Sequence, residues 1–232
     1  MRFFRCALFA VMLVPSAGAA QNFDIGMAAA EAGDFATALH EWTPLAEQGN
    51  ANAQFSLGSM YDFGDGVPQN KAEALKWFRL AAVQGHSAAQ FNLGSMYGRG
   101  DGVLQNDSEA LKWFKLAVEQ GHAAAQYSLG VMYAQGQGVP LDNVEAVKFF
   151  RLAAMQGNST AQYNLGAMYS KGRGVPQDFG RAHIWFNLSA ANGDIDAAKA
   201  RDTVGKKLGP ADLAEAQRRA QACISENYQG CD

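Results

Sequence analysis

The chain is dominated by an internal repeat with a fixed period of 36 residues. The dipeptide Ala-Gln begins four nearly identical blocks, and each block ends on Gln-Gly or Asn-Gly. Leu-Gly and Met-Tyr recur at the same places in every block, which puts the first of these glycines at Gly58, Gly94, Gly130 and Gly166. A single short repeat cannot bury its own apolar face, so this regularity predicts a stacked array in which each copy packs against its neighbours.

Each copy is predicted to fold as a pair of helices. In the first half of a block, Ala53, Leu57 and Met60 recur at helical spacing, and Ala74 and Trp77 do the same in the second half. The segment between the two halves carries Gly-x-Gly-Val, followed by proline in three of the four copies. Glycine ends a helix in the left-handed conformation and proline prevents its continuation, so these residues predict the end of every first helix.

The glycine inside every first helix needs a packing reason. Gly58 and its equivalents each cost about 0.5–1 kcal/mol relative to alanine in a helix interior. Close approach of a bulky side chain from the second helix would explain the choice. The candidates for that side chain are Trp77, Trp113, Phe149 and Trp185.

The start of each second helix is marked by a capping residue. These residues are Asn70, Asn106, Asp142 and Asp178. In three copies a glutamate follows three positions later, which predicts the reciprocal bonds of a capping box at Glu73, Glu109 and Glu145. At the start of the first helices, His86 and His122 occupy the position of Asn50 and Asn158, and a helix-entry role explains all four residues.

The regions outside the four copies predict a leader and two caps. Residues 1–20 resemble a secretory signal peptide: Arg2 and Arg5 precede an apolar run, and small residues follow at Ala17-Gly18-Ala19. Residues 21–49 predict a divergent N-terminal capping repeat, and 194–232 predict a C-terminal capping helix pair split at Gly209-Pro210. The regular copies then span 50–85, 86–121, 122–157 and 158–193.

The leader predicts that the protein resides in the periplasm or outside the cell. Without Arg2 and Arg5, 17 basic residues face 22 acidic ones, and this acidic balance argues against a nucleic-acid partner. No later stretch is long and apolar enough to predict a membrane-spanning helix, so we expect no membrane insertion. The leader also removes Cys6, which leaves Cys223 and Cys231 as an even pair in an oxidising compartment and favours a disulfide over two free thiols.

The repeated residues resemble the Sel1-like repeat. The shared pattern is Ala-Gln-x-x-Leu-Gly-x-Met-Tyr, Gly-x-Gly-Val, Ala-x-x-Trp-Phe and Gln-Gly, and the resemblance covers roughly residues 22 to 193. Departures from it are few, namely Leu104 for proline, Phe149 for tryptophan and Arg181 for glutamate. The resemblance implies an all-α fold, a right-handed α/α solenoid of helix-pair repeats related to tetratricopeptide arrays, and a role as an adaptor in protein complexes.

Sequence signatures of catalysis are missing. The chain contains no zinc-protease, phosphate-loop, nucleophile-elbow or dinucleotide-binding motif. A metal site would need ligands that converge across a 36-residue step, and the histidines already have a capping role. We therefore predict a protein that is not an enzyme and that holds no cofactor or metal.

Binding residues are expected at positions that differ between copies, because the recurring residues are needed for packing in every copy. On each first helix, three positions escape the apolar stripe, and in tetratricopeptide-like arrays the first helices line the concave face. The resemblance therefore implies a groove that holds a protein or peptide partner. An ordinary solvated helix face is the alternative explanation. The predicted partner-binding residues are Ser56, Asn92, Ser95, Arg99, Ser128, Gln135, Asn164 and Lys171.

Within this groove, Asn92 and Asn164 could bind a peptide backbone, while Arg99 and Lys171 could attract carboxylates. A monomeric periplasmic or secreted adaptor, which can have a regulatory role, is the leading hypothesis. Two others stay open: a secreted factor that acts on another cell, and a cell-wall or β-lactam hydrolase. The last lacks a serine placed beside a plausible base.

Overall fold

The computed structural model describes residues 17–228 and residue 231, and within this part of the chain every regular element is a helix. The predicted all-α class is therefore confirmed. The helices are α1 (Ala17–Glu31), α2 (Phe35–Glu47), α3 (Ala51–Phe63), α4 (Lys71–Val83), α5 (Ser87–Arg99), α6 (Asp107–Glu119), α7 (Ala123–Gln135), α8 (Asn143–Ala154), α9 (Ser159–Lys171), α10 (Phe179–Ala191), α11 (Ile195–Gly205) and α12 (Pro210–Ser225).

Consecutive helices pack as pairs, and each pair packs on the next to form a solenoid. The pairs are α1/α2, α3/α4, α5/α6, α7/α8 and α9/α10, and the second helix of each pair contacts the first helix of the following one. Apolar residues buried along this stack form the core. Among the described residues, none of the helices is both long and apolar enough to cross a membrane.

The helix ends follow the capping signals in the sequence. Each first helix of the four copies ends on a glycine in the left-handed conformation, with φ between 64° and 84°. The imidazole Nδ1 atoms of His86 and His122 accept hydrogen bonds from the backbone N–H groups of Ala89 and Ala125, at 3.2 and 3.3 Å. The helix-entry role of these histidines is confirmed.

The reciprocal capping bond predicted at the second helices is not the contact that the glutamates make. Asn70 and its equivalents do accept bonds from the first-turn backbone. The glutamates, however, pair with a lysine one turn further along, as Glu73 does with Lys76 at 3.3 Å. Glu109 and Glu145 pair in the same way with Lys112 and Lys148. The glutamate carboxylate is drawn to the lysine ammonium on the exposed face of the helix, and the capping pattern takes no account of this competing ion pair.

The packing partner of the repeated glycine is one residue away from the predicted one. A Cβ at Gly58 would lie 2.6 Å from Cδ1 of Phe78, and not against Trp77. The same holds for Phe114, Phe150 and Phe186 in place of Trp113, Phe149 and Trp185. The phenylalanine ring lies directly on the glycine backbone, so the two helices of a pair approach closely only because no side chain stands there.

In three of the four copies a buried glutamine donates to the preceding copy and accepts from the end of its own second helix. Gln126 accepts the second of these bonds, from Gln156 at 2.7 Å. Gln90 donates from Nε2 to the carbonyl oxygen of Ala82 in the preceding copy, at 3.1 Å, and accepts from Gln120 at 2.8 Å. Gln162 makes the equivalent bonds to Ala154 and Asn192. Since a buried amide must be hydrogen bonded to be tolerated, these bonds explain why Ala-Gln opens every copy.

The N-terminal pair repeats this packing with a larger ring. Gly26 lies against the indole of Trp42, which is buried and donates from Nε1 to the carbonyl oxygen of Phe23 at 3.2 Å. Residues 1–16 of the predicted signal peptide lie outside the described residues, and Ala17 to Ala20 form the first turn of α1.

The two C-terminal helices both pack on α10, but they do not form a pair like those of the array. Helix α11 keeps the frame of a first helix, but α11 and α12 each pack on α10 and make few contacts with each other. Cys223 on α12 and Cys231 form a disulfide with 5.1 Å between their Cα atoms, and both are buried. The tail is also fastened by the Tyr228 hydroxyl, which donates to Oδ1 of Asn192 at 3.2 Å.

Candidate functional site

The variable positions of the first helices line a shallow groove. One depression, of about 250 Å³, lies between α5 and α7, and a second, of about 260 Å³, lies between α7 and α9. Val131 lines both of them, so the two depressions meet at its side chain. We call the two together the first-helix groove.

The structure brings most of the predicted residues to this groove, in two groups. Ser95, Arg99 and Ser128 line the α5/α7 depression. Gln135, Asn164 and Lys171 line the α7/α9 depression. Ser56 and Asn92 are half-buried on α3 and α5 and line neither depression.

Two of the predicted side chains are already engaged within the protein. The Nε atom of Arg99 donates to Oδ2 of Asp101 at 2.7 Å, so a neighbouring carboxylate neutralises most of its attraction for an acidic ligand. The Ser128 hydroxyl donates to the carbonyl oxygen of Ala124 at 2.9 Å. Asp107 also lines the α5/α7 depression, which therefore carries no net positive charge.

The α7/α9 depression is basic. Lys171 is exposed at the end of α9, and Arg173 follows two residues later in the connector. Neither side chain forms an ion pair with any residue from 22 to 228. Beside them, the amide of Asn164 is half-buried, and Tyr163 and Val131 give the depression an apolar floor.

Arg173 was missed in the sequence because it lies in a connector and not on a first helix. The signal was nevertheless present. Its position holds Asp65, Asp101, Gln137 and Arg173 in the four successive copies, while the helix end before it holds Phe63, Arg99, Gln135 and Lys171. The formal charge of these pairs therefore rises from −1 in the first copy to +2 in the fourth.

Two histidines of the array have structural roles. His86 and His122 cap α5 and α7 and stack on Phe55 and Phe91, with ring centroids 4.6 and 4.9 Å apart. Burial lowers the pKa of both imidazoles below the usual value for histidine. Over the described ranges, no three histidine, cysteine or carboxylate side chains are grouped as a metal site requires.

The fold and this groove define the protein as a helix-pair repeat solenoid with a variable first-helix face. Comparison with known proteins gives the family. The Sel1 repeat model matches residues 51–86, 87–122, 123–158 and 159–194, and the chain belongs to the Sel1 repeat family. Sel1 repeat proteins generally mediate protein–protein interactions and are typically non-catalytic scaffolds.

Solved structures of the family agree with this assignment. The chain is 34% identical to a Sel1 repeat protein from Oxalobacter formigenes, with a TM-score of 0.75 and 90% of each chain covered. It is 33% identical to c5321, a protective antigen of uropathogenic Escherichia coli strains, with a TM-score of 0.84 over 90% of this chain. The match spans 47% of the length of c5321.

A putative Sel1 repeat protein from Klebsiella pneumoniae subsp. pneumoniae shares the fold at 20% identity, with a TM-score of 0.53 and coverage of 80% of this chain and 92% of that one. A search of curated protein sequences finds no match.

Proposed function

We propose that the protein is an exported adaptor that holds an acidic segment of a protein partner in the first-helix groove. The observation that carries this proposal is the pair Lys171 and Arg173, two neighbouring cations with no ion pair among the described residues, at one end of a groove on a net acidic protein. Charge-assisted hydrogen bonds to carboxylates are the strongest contacts that such side chains offer.

The rest of the α7/α9 depression suits a peptide. Asn164 can both donate to and accept from a peptide backbone, and Gln135 offers a second amide across the depression. Tyr163 and Val131 supply an apolar surface for one side chain of the ligand. A volume of about 260 Å³ accommodates a few residues of an extended segment but not a folded domain.

The charge of the groove also gives the segment a direction. At the end of the first helix and in the connector after it, the first copy has Phe63 and Asp65, and the fourth copy has Lys171 and Arg173. We expect the acidic end of the partner segment to lie at α9 and its less charged end to extend over α7 toward α5. Opposite charges also speed the encounter of two proteins, and this effect weakens as salt screens the charges.

The proposed location is the periplasm or the medium. Residues 1–20 have the charged, apolar and small-residue order of a secretory signal. The disulfide between Cys223 and Cys231 is the kind of bond that persists in oxidising compartments. Mass spectrometry of the protein from its native host tests this part, because an N-terminus near Ala20 or Gln21 supports export and an intact Met1 contradicts it.

Binding is tested with fluorescent peptides added to the purified protein. A short peptide rich in aspartate and glutamate should bind saturably, and a matched peptide of asparagine and glutamine should not. The affinity for the acidic peptide should fall as salt is raised. Equal binding of the two peptides, or affinity that does not respond to salt, would show that the groove does not select acidic segments.

A second candidate is a factor that acts on another cell. The observation that favours it is the 33% identity to a protective antigen of uropathogenic E. coli. Fractionation of the native host tests this second candidate, because a factor that acts on another cell must be recovered at the cell surface or in the medium. Retention of the protein in the periplasmic fraction would contradict it and would leave the adaptor proposal standing.

A further inference from the structure

The junction between α10 and α11 differs from the earlier junctions at one repeated residue. Helix α11 keeps the frame of a first helix: Asp194 caps it, and the buried Ala197 and Val204 stand where α9 has Ala161 and Met168. The next position holds a tyrosine in each of the four copies, at Tyr61, Tyr97, Tyr133 and Tyr169. In α11 this position holds Gly205.

At two of the earlier junctions, α4/α5 and α8/α9, this tyrosine packs between a first helix and the second helix of the copy before it. The hydroxyl of Tyr169 bonds to Nη2 of Arg151 at 2.6 Å, and that of Tyr97 bonds to the guanidinium of Arg79. Both rings are buried. The absence of a side chain at Gly205 therefore removes an aromatic ring from a place where the array otherwise has one.

A cavity of about 560 Å³ lies at the place where this ring is missing. Asn187, which stands at the position of Arg79 and Arg151, lines it together with Gly205. Helix α12 contributes Leu213 and Gln217 to the lining, and the cavity is open to solvent. The full lining is His183, Asn187, Arg201, Asp202, Gly205, Lys206, Leu213 and Gln217.

His183 brings a polar ring into this cavity. The other copies have an apolar residue at its position, Leu75, Leu111 or Val147, so array packing does not require an imidazole there. His183 is only 3% exposed, and its Nδ1 atom is enclosed without a hydrogen-bond partner among the described residues. Its opposite edge faces Gly205, with Cδ2 and Nε2 at 3.5 and 3.8 Å from the place of a Cβ.

This arrangement makes His183 a hydrogen-bond donor toward the cavity. Burial, and then the positive charge of Arg201, lower the pKa of the imidazole, so the neutral ring carries a single proton. Nδ1 is enclosed with no acceptor within reach among the described residues, whereas Nε2 lies on the edge that faces Gly205 and the cavity. The proton is therefore expected on Nε2, the atom nearer to Gly205.

The charges around the cavity leave one cation available. Arg201 donates to Asp202 through Nε at 2.9 Å and to Oδ1 of Asn187 through Nη1 at 3.2 Å, so its guanidinium is largely occupied. Lys206 lines the cavity and forms no ion pair or hydrogen bond with the part of the chain that the structure describes. A ligand that enters here meets an N–H donor, an ammonium group and room for a ring.

We propose that this cavity binds a small aromatic carboxylate. Its ring takes the place of the missing tyrosine ring beside Gly205 and Leu213, and its carboxylate accepts from Nε2 of His183 and from the ammonium group of Lys206. This site is separate from the first-helix groove and does not depend on the function proposed for that groove.

The probe for this site is 4-hydroxyphenylacetate, which carries the ring and hydroxyl of tyrosine together with a carboxylate. We expect saturable NMR shift changes confined to α10, α11 and α12, with a Kd of about 1 mM or tighter. 4-Hydroxyphenylacetamide, which lacks the charge, should bind at least about fivefold more weakly, as should acetate, which lacks the ring. No saturable shifts with the acid, or equal binding of acid and amide, would overturn the proposal.

Substitutions at Gly205 provide the second test. Gly205→Tyr restores the residue of the other copies and should abolish binding while the helical signal is kept. If that variant fails to fold, Gly205→Ala replaces it, because a Cβ there lies 3.5 Å from both His183 and Leu213, an ordinary contact distance. It should weaken binding by about threefold or more through lost space. Unchanged binding in the folded variant would contradict the assignment.

A pair of neighbouring lysines provides the charge control. Lys206→Ala should weaken the binding of 4-hydroxyphenylacetate by about fivefold. Lys207→Ala should leave it unchanged, because Lys207 lies over the ring of Phe179, 4.5 Å from its centroid, and does not line the cavity. An equal effect of the two substitutions would indicate a general charge effect and would contradict the proposed contact between Lys206 and the carboxylate.

Discussion

The first helices have an inner face, which packs on the paired second helix, and an outer face, which lines the first-helix groove, and the two faces differ in how much their residues vary between copies. On α5, Gly94 and Ser95 are adjacent, yet Gly94 is glycine in all four copies, whereas Ser95 becomes Val131 and Ala167 in the next two. Gly94 faces Phe114 of the paired helix, and Ser95 lines the first-helix groove. Packing therefore fixes the inner face, and the outer face is free to vary between copies.

The largest expected effect is the loss of stability when the inner face is overpacked. A Cβ at position 94 already lies 2.8 Å from the ring of Phe114 and 3.2 Å from the carbonyl oxygen of Ala110. Gly94→Leu should therefore destabilise the protein by about 3 kcal/mol, near the upper end for overpacking. Thermal melts followed by circular dichroism measure this effect.

The matched control is the next residue. Ser95→Leu places the same side chain in the groove and should change stability by no more than about 0.5 kcal/mol. Equal melting shifts for the two variants would contradict the division into an inner and an outer face.

The second effect concerns the C-terminal cap. Replacing both Cys223 and Cys231 by alanine should cost about 2–3 kcal/mol, since the disulfide closes a loop of only about nine residues. The loss should be local, because the disulfide ties the tail to α12, which packs on α10.

Hydrogen exchange measures where this stability is lost. Amides of α12 and of the end of α10 should exchange faster, while those of α3 to α8 keep their protection. Faster exchange throughout the array would mean that the disulfide supports the whole solenoid and not only its cap.

The third effect is a difference in pH dependence between histidine and asparagine at the same helix N-cap position. Burial lowers the pKa of His86 and His122 below 6.5, so the unfolded chain takes up protons before the folded chain does. Stability from these caps is therefore complete above about pH 6.5 and is lost as the pH falls through the lowered folded pKa. Protonation also removes the lone pair of Nδ1 that accepts the capping bond.

Asparagine is the matched replacement because it occupies the same position at Asn50 and Asn158. Between pH 7.5 and 5.5, the Tm of the parent should fall about 2–4 °C further than that of the His86→Asn, His122→Asn variant. His183 also has a lowered pKa, but it titrates in both proteins and cancels in the comparison. Parallel pH profiles would show that the two caps do not carry the effect.

Repetition explains why the fold could be predicted from the sequence. The period, the left-handed glycines and the capping residues are local signals, and four copies of each make them unambiguous. The ring that packs on Gly58 was predicted wrongly because Trp77 and Phe78 are adjacent aromatics, and the sequence pattern alone does not say which of them faces the partner helix.

The candidate site was less predictable because it depends on the geometry of the connectors. The pairing of Arg99 with Asp101 and the position of Arg173 beside the same depression as Asn164 are set by connector geometry that no helical pattern specifies. The cavity at Gly205 could not be predicted either, because the sequence shows that the tyrosine recurs but not where its ring packs.

The last prediction concerns charge reversal in the first-helix groove, which should have the smallest effect on stability and the largest effect on partner binding. The sequence pointed to Arg99 and Lys171 as the carboxylate-binding pair, and their joint replacement by glutamate should abolish binding. Because Asp101 already pairs with Arg99, we propose that Lys171 and Arg173 carry most of this attraction. Lys171→Glu with Arg173→Glu should leave the melting temperature nearly unchanged, because both side chains are exposed and unpaired in the described structure.

The most direct test of the account is the affinity of an acidic peptide for this charge-reversed variant. The control is Lys112→Glu with Lys148→Glu, which changes the net charge equally on the exposed face of α6 and α8. We predict that Lys171→Glu with Arg173→Glu weakens binding by at least about tenfold and that the control weakens it by less than about twofold. Equal weakening by both variants, or parental affinity in the groove variant, would show that the partner does not bind in the first-helix groove.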